Sequence, residues 1–513
     1  MIKSQRGVPG QGRAGRFHRR ASPIAIGALL WTLSGCAVGP DFQRPDMATP
    51  AQFANQGPAS PGAASAAADM TFWQSFNDSQ LNALIEKALA NNGDLRVAVA
   101  RYESANAMLS ESKFNYLPTV TMSAEAGRQK MSEDQSYGFP RSHATYSAGV
   151  HVGWELDLFG RVRREVEGRR ALARASASDL AGMQVLIAAE TAHSYMVLRG
   201  LQERLRVVRE NVSNQRRMLD LVDVRLSAGR GTEFDSTRAK AQFESTASRE
   251  PALEAQIAVM QHRLAVLTGQ MPGTLRGELD ALRPLPALPA QIDPGTPADV
   301  LRRRPDVAAA EERLHAATAA VGVAKGDLFP KLSLSGLLGY QAFHRDAMFH
   351  SSSQSNYGLL GIDWSFLDIG RVRARIAASS AEARAGLAQY QQTVLLAVEE
   401  TENALVRYTR TRSEDEMLGR AAQDSAQAAK LARLRYQAGE IGLYELLDAE
   451  RVLLEAQDAF ADSHTRCAMA AVALYKSMAG GWQDRLPASP ALSLNVGAGA
   501  QVAAAAGAVE RHD

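Results

Sequence analysis

Cys36 is the residue whose neighbours specify a reaction most directly. It closes Leu33-Ser34-Gly35-Cys36, behind four arginines (Arg13, Arg16, Arg19 and Arg20) and an apolar run from Ile24 to Leu33. A basic stretch, a short apolar core and a small-residue cleavage site make a secretory signal rather than a membrane span. Leu-Ser-Gly-Cys also fits a lipobox, in which the thiol takes a diacylglycerol and the cysteine, freed as the new N-terminus, takes a palmitoyl chain. The alternative is a plain signal peptide with a chance cysteine.

Other chemistry is sparse. The chain has no HExxH, no GxSxG, no P-loop and no cysteine cluster. Gly229-Arg230-Gly231 resembles part of a phosphate loop but lacks the preceding strand, and reads as a helix-breaking turn. His344 and His350 share a polar loop with four serines and read as solvated side chains, not metal ligands. Asp448 and Arg451, three apart on a helical stretch, make an ordinary surface pair worth a few tenths of a kcal/mol. Cys467 sits alone in an alanine-rich helical stretch and reads as a small core residue. With Cys36 acylated, no disulfide framework remains for a chain in an oxidising compartment. No enzyme class is indicated, nor any cofactor beyond the lipid on Cys36.

The formal charge of +2 misleads, because residues 1–35 carry six basic residues and no acidic one. Without them 51 basic residues face 55 acidic ones, a net of −4, which leaves no basic excess for nucleic acid. A chain of 513 residues, 46% of them hydrophobic, would ordinarily make two or more domains. After residue 36 no apolar run approaches the roughly 18 to 20 residues of a transmembrane helix, so only strands could cross a bilayer.

Such strands are present. In Tyr146–Asp157 the even positions (Tyr146, Ala148, Val150, Val152, Trp154, Leu156) are apolar and the odd ones polar or small. That gives one apolar and one wet face. The same alternation recurs at Val120, Met122, Ala124 and Ala126, at Leu332, Leu334, Leu338 and Tyr340, and at Leu360, Ile362, Trp364 and Phe366. Helical stretches surround them. Leu81, Leu84, Ile85, Ala88 and Leu89 form a stripe after the N-cap cluster Asn77-Asp78-Ser79, and the next helix stops before Pro118. From Gly160 to Ala228 a heptad seam runs through Leu198, Leu201, Leu205, Val208, Val212, Gln215, Leu219, Val222 and Leu226. Unbroken, that helix is about 100 Å long. It ends at Gly229, and a return helix reaches about Thr268.

The layout occurs twice. Trp154 and Trp364, Gly160 and Gly370, Glu190 and Glu400, and Gly229 and Gly439 are each 210 residues apart, while Pro118 and Pro330 are 212 apart. A duplicated unit of helix, hairpin, long helix and return helix follows. The expected divisions are a signal peptide (1–35), an extended lipid-anchored segment (36–78), a first repeat (79–282), a proline-rich linker (283–297), a second repeat (298–482) and an Ala/Gly-rich disordered tail (483–513).

Four spanning strands cannot close a barrel, and a spanning sheet tolerates no open edge. Two copies reach eight strands, a barrel filled by its own side chains. Three copies give 12 strands and room for water beside Glu125, His151, Glu155 and Asp363, so the expectation is a homotrimer. The alternative, a soluble sandwich, leaves the long helices unexplained. Trp154, Trp364, Arg161 and Arg371 then read as an aromatic and basic belt where barrel meets water.

Cys36-Ala37-Val38-Gly39-Pro40-Asp41-Phe42, Trp154-Glu155-Leu156-Asp157-Leu158-Phe159-Gly160-Arg161, Arg303-Arg304-Pro305-Asp306-Val307 and Leu447-Asp448-Ala449 resemble motifs of outer-membrane efflux lipoproteins. These are TolC-like outer-membrane factors of tripartite resistance–nodulation–division pumps. The resemblance spans about residues 36–482. It implies an α+β membrane protein, with a trimeric 12-stranded β-barrel continued by an α-helical coiled-coil periplasmic tunnel. It implies a periplasmic adaptor and an inner-membrane pump as partners, outer-membrane lipid around the barrel, and a passive exit duct for drugs or other toxic small molecules. Residue 37 is Ala, so the aspartate that retains lipoproteins at the inner membrane is absent. The turn at Ala438–Leu443 matches the periplasmic tip of the family. There Asp448 matches the aperture aspartate, with Arg451 or an arginine on the facing helix as its expected holder, and Tyr444 replaces a residue that is often an apolar constriction. Two other readings stay open: a duct for type I protein secretion, and a coiled-coil envelope lipoprotein with no pore.

Overall fold

Two compact units, each drawing on both sequence repeats, make up the chain in a computed structural model that describes residues 37–55, 72–136, 140–288 and 292–478. The signal segment, Cys36 and the C-terminal tail lie outside the described residues. The first unit comprises residues 113–166 and 319–379 together with the stretch before Phe42; the second comprises residues 42–112, 167–318 and the part from Ser380 onward.

The sheet belongs to the first unit. Its strands are β1 (Thr119–Lys130), β2 (Ser142–Leu156), β3 (Lys331–Ala342) and β4 (Gln354–Asp363), antiparallel in sequence order. Even-numbered residues share one face, where Val120, Met122, Leu334, Leu338, Leu360 and Ile362 are exposed. The opposite face carries Glu125, Asp363 and His151, whose Nε2 lies 3.0 Å from Ser123 Oγ. Gly339 lets β2 and β3 approach closely, since a Cβ there would stand 2.6 Å from the Ala148 carbonyl oxygen.

The strands differ from expectation at their ends. The first hairpin is longer than its alternating residues Val120–Ala126 and Tyr146–Asp157 indicated, because β1 and β2 pair as far as Lys130↔Ser142. The fourth strand stops at Asp363, leaving Trp364 outside the ladder and Phe366 in a 3-10 turn. The cause is the missing neighbour. β2 and β1 part at Gly153, the counterpart of Asp363, and β2 runs on to Leu156 only because β3 pairs with it on the other side. Among the described residues nothing pairs with the second side of β4.

β2 passes into a helix through Gly160 at φ 80°, a left-handed conformation suited to glycine. Asp157 accepts hydrogen bonds from the Val162 and Arg163 backbone amides at 3.1 and 3.0 Å, satisfying donors that a helix start leaves open. That helix, α3 (Arg161–Ser227), is unbroken for 67 residues.

In the second unit α1 (Ser79–Asn91) is capped by Asp78, whose Oδ1 accepts from Gln80 N and Leu81 N at 2.8 and 2.9 Å. Leu81, Leu84, Ile85 and Ala88 are fully buried, and α2 (Gly93–Phe114) follows. Seven of the nine seam residues are buried; Val212 and Leu226 are half-buried. The return helix is two helices, α4 (Glu233–Ala247) and α5 (Arg249–Leu267), parted at Ser248. Pro251 has no N–H for the Ala247 carbonyl, and its ring crowds that carbonyl, so one continuous helix is disfavoured. After α6 (Arg276–Leu279), α7 (Pro297–Arg303) and α8 (Pro305–Gly326), the second repeat has α9 (Ile369–Ala438). Its return helix, α10 (Leu443–Met478), contains no proline and is unbroken for 36 residues. α3 and α10 meet at Gly200, where any Cβ would collide with Thr465. Cys467 is a free, buried thiol, pushed up from its usual pKa by burial.

Candidate functional site: the paired helix turns

Two turns reverse the long helices, and duplication makes them alike. At the first, Arg230 N donates to Arg225 O at 2.9 Å and Gly229 has φ 72°. At the second, Glu440 N donates to Arg435 O at 2.9 Å and Gly439 has φ 78°. These 6→1 bonds around a left-handed glycine are Schellman closures, which satisfy carbonyls left open at a helix end. The exits differ. Thr232 and Asp235 form a capping box on α4, whereas Gly442 stands at the counterpart of Thr232 before α10.

Beneath the turns lies a buried cluster of Leu219, Val222, Ala239, Tyr436, Leu443, Leu446 and Leu447. With Leu443, Leu446 and Leu447 inward, helical spacing turns Tyr444, Asp448, Arg451 and Glu455 away from that core. Tyr444 is accordingly 58% exposed, and the Asp448 and Arg451 side chains 48% each. Arg451 Nη2 donates to Asp448 Oδ1 at 2.8 Å and Nη1 to Glu455 Oε1 at 2.9 Å. Hydrogen bonds to Asp448 and then to Glu455 raise the Arg451 pKa above its ordinary value. Two carboxylates flank one guanidinium along this face, with no acid–base or nucleophilic arrangement about them.

The sequence reading brought Tyr444, Asp448 and Arg451 to this turn, and they share one exposed face. It missed Arg238, whose guanidinium lies 4.5 Å from the Tyr444 ring centroid and ties α4 to α10. The signal was available: Arg238 is the 210-residue counterpart of Asp448. It also missed Glu450, which is 2% exposed and accepts from Arg433 Nε at 3.0 Å through Oε1.

The belt residues lie in the first unit. Trp154 Nε1 donates to Tyr116 O and Trp364 Nε1 to Leu328 O, both at 3.1 Å, so each tryptophan grips the carbonyl two residues before Pro118 or Pro330. Arg161 makes a two-pronged bond to Glu155 at 2.8 and 2.7 Å, and Arg371 pairs with Asp368 at 2.8 Å. Arg164, in the same basic run as Arg161, is buried against Asp41. At Asp327, burial acts to raise the carboxyl pKa, but Lys331 and Arg375 outweigh it and hold the group below its usual range.

Cys36 is outside the described residues, but its successors are not loose. Val38 N donates to Phe159 O at 3.0 Å, Ala37 packs on Gly160, and Gly39 meets Gly322 so closely that a Cβ on Gly39 would collide with its backbone. Among the described residues no group of three or more His, Cys, Asp or Glu is placed to hold a metal. No described helix is long and apolar enough to cross a membrane.

Known proteins share this architecture. The family model for outer membrane efflux proteins matches residues 84–270 and 296–480. Outer membrane protein OprJ of Pseudomonas aeruginosa is 30% identical over 91% of this chain and 97% of its own. Nodulation protein T of Rhizobium leguminosarum bv. trifolii is 30% identical over 87% of this chain and 94% of its own. The solved structure of the outer-membrane channel OprN superposes with a TM-score of 0.81 at 39% identity, covering 87% of this chain and all of that one.

Proposed function

This chain belongs to the outer membrane efflux protein family and is the outer-membrane channel of a tripartite efflux pump; from that premise we propose a passive duct made of three copies. The observation that carries the count is the four-stranded sheet, with one face of exposed apolar side chains and a bare strand at each edge. Unpaired backbone groups in hydrocarbon cost several kcal/mol each, so the sheet closes by repetition. Twelve strands leave a water-filled lumen lined by the polar face; eight fill their own interior. Protein extracted in mild detergent should therefore have three times the mature mass. A monomer would refute the count.

A periplasmic adaptor and an inner-membrane resistance–nodulation–division pump complete the assembly, and drugs or other toxic small molecules leave through it. The duct supplies no driving force. Asp448, Arg451 and Tyr444 form its periplasmic aperture, with Arg238 behind Tyr444. Trp154, Trp364, Arg161 and Arg371 set the depth of the barrel in outer-membrane lipid.

Cys36 carries diacylglycerol and an N-palmitoyl chain, and the following residues are already seated against Phe159 and Gly160 at the end of β2. Two or more acyl chains anchor stably where one alone does not. Cells fed radioactive fatty acid should label this protein, and Cys36→Ser should lose the label. Label retained on the variant would place the lipid elsewhere.

A further inference from the structure

Two positive charges stand alone on the apolar face of the sheet. The strand registers put every even-numbered residue of β1 to β4 on that face. Among them only Arg128 and Lys130, at the hairpin end of β1, carry a charge. Both are exposed, and among the described residues neither side chain has an ion pair or a hydrogen bond.

Their height on the sheet is marked by their neighbours. Along β1, Val120, Met122, Ala124 and Ala126 give way to Arg128 and Lys130, away from the helices. Tyr146 stands opposite Ala126 and Tyr340 opposite Ala148, both on the apolar face. Aromatic residues flank the apolar band of a membrane barrel at both interfaces, so these tyrosines mark its outward limit as Trp154 marks the inward one. Arg128, opposite Ala144, is one step farther out, and Lys130 one step beyond that. Two residues apart on one face of a strand, their Cα atoms are about 7 Å apart. Long basic side chains at this height lay their stems on the apolar wall and hold their charge among lipid head groups.

The inward rim differs in one respect. Its basic residues carry their own counter-ions, Arg161 with Glu155, Lys331 with Asp327 and Arg371 with Asp368. At the outward end the even positions of the other strands include Ser142, Ala342, Gln354 and Asn356, and no acid. Closing the sheet at its edges therefore brings no carboxylate onto this face. The acidic residues nearby in sequence are in the hairpin loop, where Glu133 lies 3.8 Å from Arg141.

We propose that Arg128 and Lys130 hold a phosphate group of the phosphorylated glycolipid in the outer leaflet of the outer membrane. An arginine fork matches two phosphate oxygens, and a lysine adds a point charge beside it. The partner comes from the membrane because the two side chains top a lipid-facing wall, where the acyl chains of the same molecule lie against Ala124 and Ala126. The proposal rests on the membrane-barrel reading above and adds to it a lipid of one leaflet.

Binding of purified lipid tests it. Trimers extracted in mild detergent are mixed with diphosphorylated lipid A or with its dephosphorylated form, and bound lipid is counted by native mass spectrometry. The parent should retain the phosphorylated form more than the other. Arg128→Gln with Lys130→Gln should bind it about fivefold more weakly for each charge removed. Arg128→Lys with Lys130→Arg keeps both charges and should keep most of the binding. Added salt should weaken binding to the parent, a readout available even if a variant yields no trimers. Equal binding of the two lipids by the parent would overturn the proposal, as would equal binding by the parent and the glutamine variant, or a parent indifferent to salt. Parent protein extracted as monomers would instead refute the three-copy reading.

Discussion

Val150→Arg should keep this protein from assembling in the outer membrane, and His151→Arg, one residue on, should leave assembly nearly intact. Val150 lies on the apolar face near the middle of β2, between Met122 and Leu338. A charge on the lipid face at the bilayer midplane costs about 2–4 kcal/mol, and three copies incur it together. His151 lies on the opposite face. Its loss removes one hydrogen bond to Ser123, worth about 1 kcal/mol, and the arginine stays in water. Density fractionation of membranes with a gel assay for trimers separates the two variants. Equal loss at both positions would mean that neither face meets lipid.

The second large effect concerns the aperture. Asp448→Ala combined with Tyr444→Ala should raise single-channel conductance well above either change alone. Two unlike contacts are present: Arg238 of α4 over the Tyr444 ring, which crosses between helices, and Arg451 shared between Asp448 and Glu455 along α10, which sets the charges that the copies present to one another. Removing one leaves the other in place, so the single variants should differ little from the parent. Three copies of Asp448 around one axis should also bind cations, as rings of carboxylates do in cation channels. Divalent cations should therefore block the parent channel and block Asp448→Ala less. A double variant with parental conductance and parental cation block would place the constriction elsewhere.

Much of this was legible in sequence because the physics is local and periodic. Alternation with period two set the faces of all four strands, and heptads set the buried seam of α3. The 210-residue offset identified equivalent glycines at both turns. What escaped depends on partners distant in sequence. Trp364 and Phe366 alternate like strand residues, but whether they form one depends on a neighbour that a single chain does not contain. Ala37, Val38 and Gly39 sit in a stretch rich in Pro, Ala and Ser that reads as an extended leader; only the fold brings Gly160 and Gly322 to receive it. Arg238 and Tyr444 are 206 residues apart, and only the repeat, which makes Arg238 the counterpart of Asp448, points to that region; nothing local marks the pair. Pro251 was visible, yet its effect depended on whether packing could bridge the missing hydrogen bond, and at Ser248 it did not.

The most direct test of the duct is current through it. Purified wild-type trimers in a planar bilayer should give discrete unit steps of one size, small as the proposed aperture predicts and smaller still with divalent cations. Trimers shown to be inserted in that bilayer, yet passing no current even with Tyr444 and Asp448 both replaced by alanine, would contradict a channel.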